Sequence, residues 1–123
     1  MSKRGSMNEI QLKSRTKKFA KDIILFCRRL PTNREGRLIG NQLFRSGTSV
    51  AANYRAACRG RSKAEFISKL AIVEEEADET MFWLELIKEL KIVDDPFIDD
   101  LIKESDEMVA IIVSSIKTVK KNI

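Results

Sequence analysis

The chain has 123 residues, 43% of them hydrophobic and 33% charged, which is enough for the core of one globular domain and too little for two. It contains no histidine, so the commonest general base and the commonest metal ligand are both missing; a non-enzymatic protein with no metal and no cofactor is expected. The net charge of +5 conceals an asymmetry, because residues 1–63 carry 16 Lys/Arg against three acids while residues 64–123 carry seven against 15. Such halves attract each other, so they either pair, within or between subunits, or leave a surface for a polyanion. No signal-like or membrane-spanning run occurs, and Cys27 and Cys58 fit no zinc or redox spacing, which predicts a cytoplasmic protein with reduced thiols.

Residues 1–13 read as a flexible basic leader and residues 14–121 as a single bundle of four helices. The first helix is predicted from Ser14 to Leu30, with Leu12, Thr16, Phe19, Ile23, Phe26 and Leu30 on one face and Pro31 as its stop. Thr32-x-x-Glu35 is read as a capping box for a second helix that runs to Arg59, with Gly60 just past its end. Ser62-x-x-Glu65 caps a third helix only two residues later, a spacing that forces an antiparallel pair. That helix buries Phe66, Leu70, Val73, Ala77, Met81 and Leu84, continues to about Lys91, and carries a second apolar patch of Ile72, Trp83, Leu86, Ile87 and Leu90. Asp94-Asp95-Pro96 starts a fourth helix that reaches Lys121. The expected fold is an all-α, up-down-up-down antiparallel four-helix bundle.

Three features suggest self-association. The fourth helix is apolar over about 200° of its circumference, well beyond the roughly 100° of an ordinary core stripe. The second helix has a small-residue face of Gly40, Gly47, Ala51 and Cys58 that lets another helix approach. Together with the patch on the third helix, these favour a homo-oligomer over a broad monomeric core.

An up-and-down arrangement gathers the ends of the helices into a cationic pole containing Lys17, Lys18, Arg55, Arg59, Arg61 and Lys63, the residues expected to meet nucleic acid. Lys13, Arg15, Lys117, Lys120 and Lys121 lie at the same end. Arginine forks suit phosphate oxygens, and few local carboxylates oppose them. No nucleic-acid-reading module accompanies the pole, so base-specific recognition is not expected. Arg34, Arg37, Arg45, Arg55 and Arg59 form a stripe about 80° wide on the second helix. It is either solvated or paired with the acidic stripe Glu74, Asp78, Glu85 and Glu89 of the third helix, in the same copy or another.

A polar row, Gln42, Ser46, Ser49 and Asn53, borders the apolar face of the second helix and needs hydrogen-bond partners. The run Gln42-Leu43-x-Arg45-Ser46-x-x-Ser49-x-x-x-Asn53, followed by Gly60-Arg61-Ser62-Lys63-x-Glu65-Phe66, resembles the signature of the four-helix-bundle proteins encoded by intervening sequences in bacterial 23S ribosomal RNA genes. The resemblance covers roughly residues 15–120. It implies a ring-shaped homopentamer and a relation to the accessory variability protein of diversity-generating retroelements, which binds its reverse transcriptase and nucleic acid. Arg45, Ser46, Ser49, Asn53, Ser62 and Phe66 match motif positions with packing, interface and capping roles. Ala56 and Ala57 replace a Glu-Gly pair in one common version, and no catalytic residue carries over. The expected function is nucleic-acid binding, RNA favoured, by an oligomer; the alternative is a protein adaptor such as a reverse-transcriptase accessory subunit.

Overall fold

Each helix starts where a side chain takes up one of the amide N–H groups that a first turn leaves unpaired. In the computed structural model, which describes residues 7–122, α1 spans Glu9–Cys27, α2 Arg34–Cys58, α3 Lys63–Glu89 and α4 Phe97–Lys121. Asn8 accepts from the Gln11 amide at 2.8 Å while the Gln11 side chain accepts from the Asn8 amide at 3.1 Å. This reciprocal cap starts α1 at Glu9 rather than Ser14, so residues 9–13 of the expected leader are helical; its first six residues lie outside the described part. At the other end α1 stops three residues before the expected Leu30. The chain tightens into short-range bonds from Arg29 to Phe26 and from Leu30 to Cys27, because the residue before Pro31 is pushed out of helical geometry.

The cap of α2 is Asn33, not Thr32: its side chain accepts from the Gly36 amide at 2.9 Å. Gly36 is required there, since a Cβ would collide with the Pro31 carbonyl. Ser62 caps α3 as expected, accepting from the Glu65 amide at 3.1 Å, but the Glu65 carboxylate reaches back to the Arg61 amide at 2.6 Å. Pro96 occupies the cap position of α4 and offers no side-chain bond; Asp95, one residue earlier, accepts from the Phe97 amide at 3.0 Å instead. The α3 end is closed by Lys91 at φ 53°, with its N–H on Lys88 and the Ile92 N–H on Ile87. That pair of bonds is the Schellman arrangement, with lysine where glycine is usual.

Among the described residues the protein is all-α, four helices with no strand. Consecutive helices pack against each other, whereas the backbones of α1 and α4 approach only thinly and those of the diagonal pairs stay apart. The thin seam is held by Arg15, whose guanidinium donates to Glu104 at 2.7 and 2.8 Å and to Glu107 at 3.0 Å. Phe19, Ile23, Phe26, Leu43, Val50, Leu70, Val73, Leu84, Ile87, Leu101, Met108 and Ile112 fill the centre. On α3, Thr80 and Ile87 are buried and Met81 is only half-buried, so Ile87 belongs to the core and not to the second patch.

Two of the three features expected to drive self-association are taken up largely within the chain. The small face of α2 is occupied within the chain: a Cβ at Gly47 would sit 2.7 Å from Ile23 Cγ2, and one at Gly40 would sit 3.0 Å from Leu30. The wide apolar arc of α4 also turns inward, with Ile98, Leu101, Met108, Ile111 and Ile112 buried and Phe97, Ile102, Val109 and Ile116 packed against the core. No large hydrophobic residue of α4 is exposed; those that are lie on α1, α2 and α3 or just past α3.

Candidate nucleic-acid interface

The close α1–α2 approach at Gly47 continues toward the pole past Ala51 and Ala52, whose short side chains leave a depression between the helices. Its walls are cationic. Lys13 and Lys17 stand on α1, Arg55 on α2 and Arg59 just past its end, Ser14, Thr16 and Ile10 complete the lining, and the cleft has a volume of about 570 Å3. No carboxylate lines it. Among the described residues Lys17, Arg55, Arg59 and Arg61 pair with no acid, and Lys13 has only a loose 4.0 Å contact with Glu9 on its own helix. Four positive charges thus share a small space with only the loose Glu9 contact to offset them, which raises local anion concentration.

The expected site is only partly assembled there. Lys17, Arg55 and Arg59 come together as expected, and Lys13 joins them. Lys18 projects from the other side of α1 into the α1–α4 groove, where its ammonium donates to Asp22 at 2.7 Å; that hydrogen bond raises its pKa. Arg61 and Lys63 lie around the α2–α3 turn. Lys63 donates to the Asn122 carbonyl at 3.0 Å and so ties α3 to the end of α4. Arg15 lies in the seam already described, its pKa raised chiefly by the hydrogen bond to Glu104. The signal separating these residues is helical phase: Lys13 and Lys17 share a face, while Lys18 is turned about 100° away.

The other flank of α2 has the opposite character. Arg45 bridges Glu76 at 3.1 Å and also pairs with Glu79, so this one member of the α2 arginine stripe meets α3 of its own chain, through acids other than the expected Glu74, Asp78, Glu85 and Glu89, while among the described residues Arg34, Arg37, Arg55 and Arg59 pair with no acid. Trp83 Nε1 donates to Glu79 at 3.0 Å, and with Arg45 it holds that carboxyl below its ordinary 4.5. Phe82 stands edge-on to Trp83 with ring centres 5.0 Å apart. Phe82 is 49% exposed, Leu90 59% and Leu38 55%; Phe82, Leu86 and Leu90 follow at four-residue steps, an apolar ridge along α3.

The motif residues are structural. The Ser46 hydroxyl is buried and lies 3.0 Å from that of Thr80, joining α2 to α3, and Thr80 donates to the Glu76 carbonyl at 2.7 Å. The Asn53 amide donates to the Ser49 carbonyl at 3.0 Å. Ser62 is a cap, and Phe66 packs on the core. Among the described residues no group of three or more potential ligands could hold a metal ion, and no helix is long and apolar enough to cross a membrane. Both cysteines are free thiols; burial pushes Cys27 up to about 11.

With this geometry in view, residues 8–114 match the family described as 23S rRNA-intervening sequence protein. The chain belongs to that family. A similar fold occurs in the crystal structure of a protein of unknown function from the S23 ribosomal protein family of Bacteroides thetaiotaomicron, at 32% identity and a TM-score of 0.82, over 90% of this chain and 99% of that one. No functionally curated protein matches the chain. The family match spans the cleft, both walls included, and the whole Arg45 to Phe66 motif.

Proposed function

We propose that this member of the 23S rRNA-intervening sequence family is a non-enzymatic, oligomeric nucleic-acid-binding protein that meets phosphates through the α1–α2 cleft. One observation carries the reading: Lys13, Lys17, Arg55 and Arg59 face a shared cleft that no carboxylate lines. Unlike Arg15 and Arg45, whose forks are already occupied by glutamates, the cleft cations keep their donors for phosphate oxygens. The family's link to ribosomal RNA genes favours RNA over DNA. Self-association is supported by the ridge of exposed Phe82 and Leu90 with half-buried Leu86 between them, beside Trp83, too contiguous for scattered surface apolar residues; the pentameric ring is what the family resemblance implies. Repeating one modest cationic cleft around a ring raises avidity without new contacts.

The test is direct titration of RNA and DNA against the purified protein at about 50 and about 200 mM salt, with light scattering on the same samples. The reading expects binding that weakens steeply with salt and a mass about five times the 14.1 kDa chain. A salt-insensitive interaction, or none, sinks the nucleic-acid reading and transfers the cleft to the adaptor alternative, in which it docks an acidic protein. A concentration-independent monomer sinks the ring.

A further inference from the structure

The shape of the cleft says more than its charge. It lies between two helices whose axes, at such a contact, are about 8–10 Å apart, and the approach is tightened by Gly47 against Ile23. Its floor is Ala51 and Ala52, and Ile10 stands at its edge 77% exposed. On each wall the two cations are four residues apart, about 6 Å along the helix axis, so successive phosphates of one extended strand can be met from either side.

A duplex cannot use this site well. It is a stiff convex cylinder wider than the gap, so it touches the rim and leaves the floor in water. An unpaired strand turns its phosphates to the lysine and arginine walls and lays a base on the alanine floor, covering the otherwise solvated Ile10. Ala51 and Ala52 carry no hydrogen-bonding side chain and no aromatic ring lines the cleft; of its two hydroxyls, that of Thr16 donates to the Lys13 carbonyl at 3.1 Å and that of Ser14 stands at the rim, so a base on the alanines is accepted for its flat apolar face and not read by its edges.

We infer that the α1–α2 cleft selects unpaired strands over duplex and is indifferent to base identity. This rests on the cleft being a nucleic-acid site at all, and the two statements fail separately. The experiment measures fluorescence anisotropy of the full chain with labelled oligouridylate and oligoadenylate, and with an RNA hairpin duplex carrying the same number of phosphates, all at one near-physiological salt concentration. The two single strands should bind within about threefold of each other and at least tenfold tighter than the duplex. Ala52→Leu raises the floor without changing charge, at an exposed helical position that tolerates leucine. It should weaken single-strand binding about tenfold, leave duplex binding unchanged and leave the melting curve in place. Equal affinity for strand and duplex, or Ala52→Leu without effect on the strand, overturns the inference while leaving nucleic-acid binding standing. Strong preference for one homopolymer overturns base indifference. No binding to any of the three removes both this inference and the reading beneath it.

Discussion

Gly47→Ala should destabilise the protein even though alanine is the better helix former. In the interior of α2 the exchange gains about 0.5–1 kcal/mol of intrinsic propensity. Against that, the new methyl would stand 2.7, 2.9 and 3.0 Å from Ile23 Cγ2, Cγ1 and Cβ, where ordinary contact begins at 3.4 Å. Ile23 is fully buried, and a β-branched side chain in a helix has one strongly preferred rotamer, so none of those atoms can swing away. The remaining relief is to move α1 from α2 by about 0.7 Å, a gap that forfeits a quarter to a half of the dispersion well for each contact along the seam. Overpacking of this kind costs about 1–3 kcal/mol, leaving a net loss of up to about 2.5 kcal/mol, centred on about 1 kcal/mol, and a melting temperature a few degrees lower. Thermal melts followed by circular dichroism would show it. Ile23→Ala alone should cost about 2–5 kcal/mol through its cavity, but paired with Gly47→Ala it should cost at least about 1 kcal/mol less than the sum. A Gly47→Ala variant that melts higher than the parent, or strict additivity in the pair, would refute the close approach that also narrows the cleft.

Two further outcomes follow from the same structure. Lys91→Gly should raise the melting temperature by about 2–4 °C, because glycine adopts the left-handed conformation at φ 53° without the cost of about 1–2 kcal/mol a side chain bears, less its own unfolded-state entropy; a lower melting temperature contradicts this. Glu79 is held below its ordinary 4.5 by Trp83 and then Arg45, so its contribution to stability is complete above that pH and is lost as pH falls through the lower folded value. Glu79→Gln should therefore lose melting temperature less steeply than the parent between about pH 5 and pH 3, and parallel curves would show the carboxylate to be uncoupled from folding.

Most of the fold was legible because its signals are local. Apolar period, Pro31, Ser62-x-x-Glu65 and Asp95-Pro96 lie within a turn or two of the boundaries they set, and the motif from Arg45 to Phe66 pointed to the family that residues 8–114 match. The misses also have local causes. Asn8-x-x-Gln11 is a capping box built from asparagine and glutamine, and Asn33 displaced Thr32 as a cap because Gly36 lets the chain turn beneath Pro31. The destination of a face was harder to read. A small-residue stripe shows that something comes close, not whether that partner is α1 of the same chain, and the width of the α4 stripe does not say how far its flanking residues tuck under α1 and α3. The cationic pole had the same weakness: counting charges at one end joined Lys18 to Lys17, whereas the one-residue step places them in different grooves.

The most direct test of the central claim, that the α1–α2 cleft is where nucleic acid binds, is the salt dependence of single-stranded RNA affinity in the parent and in the Lys17→Gln, Arg55→Gln, Arg59→Gln triple variant. Each phosphate contact to a single strand contributes about 0.7 to the slope of log affinity against log salt. Removing three contacts should weaken binding at every salt concentration and flatten the slope by about two, with the oligomer mass and melting temperature unchanged. Parallel lines of equal affinity would contradict the account and place the phosphates elsewhere on the surface.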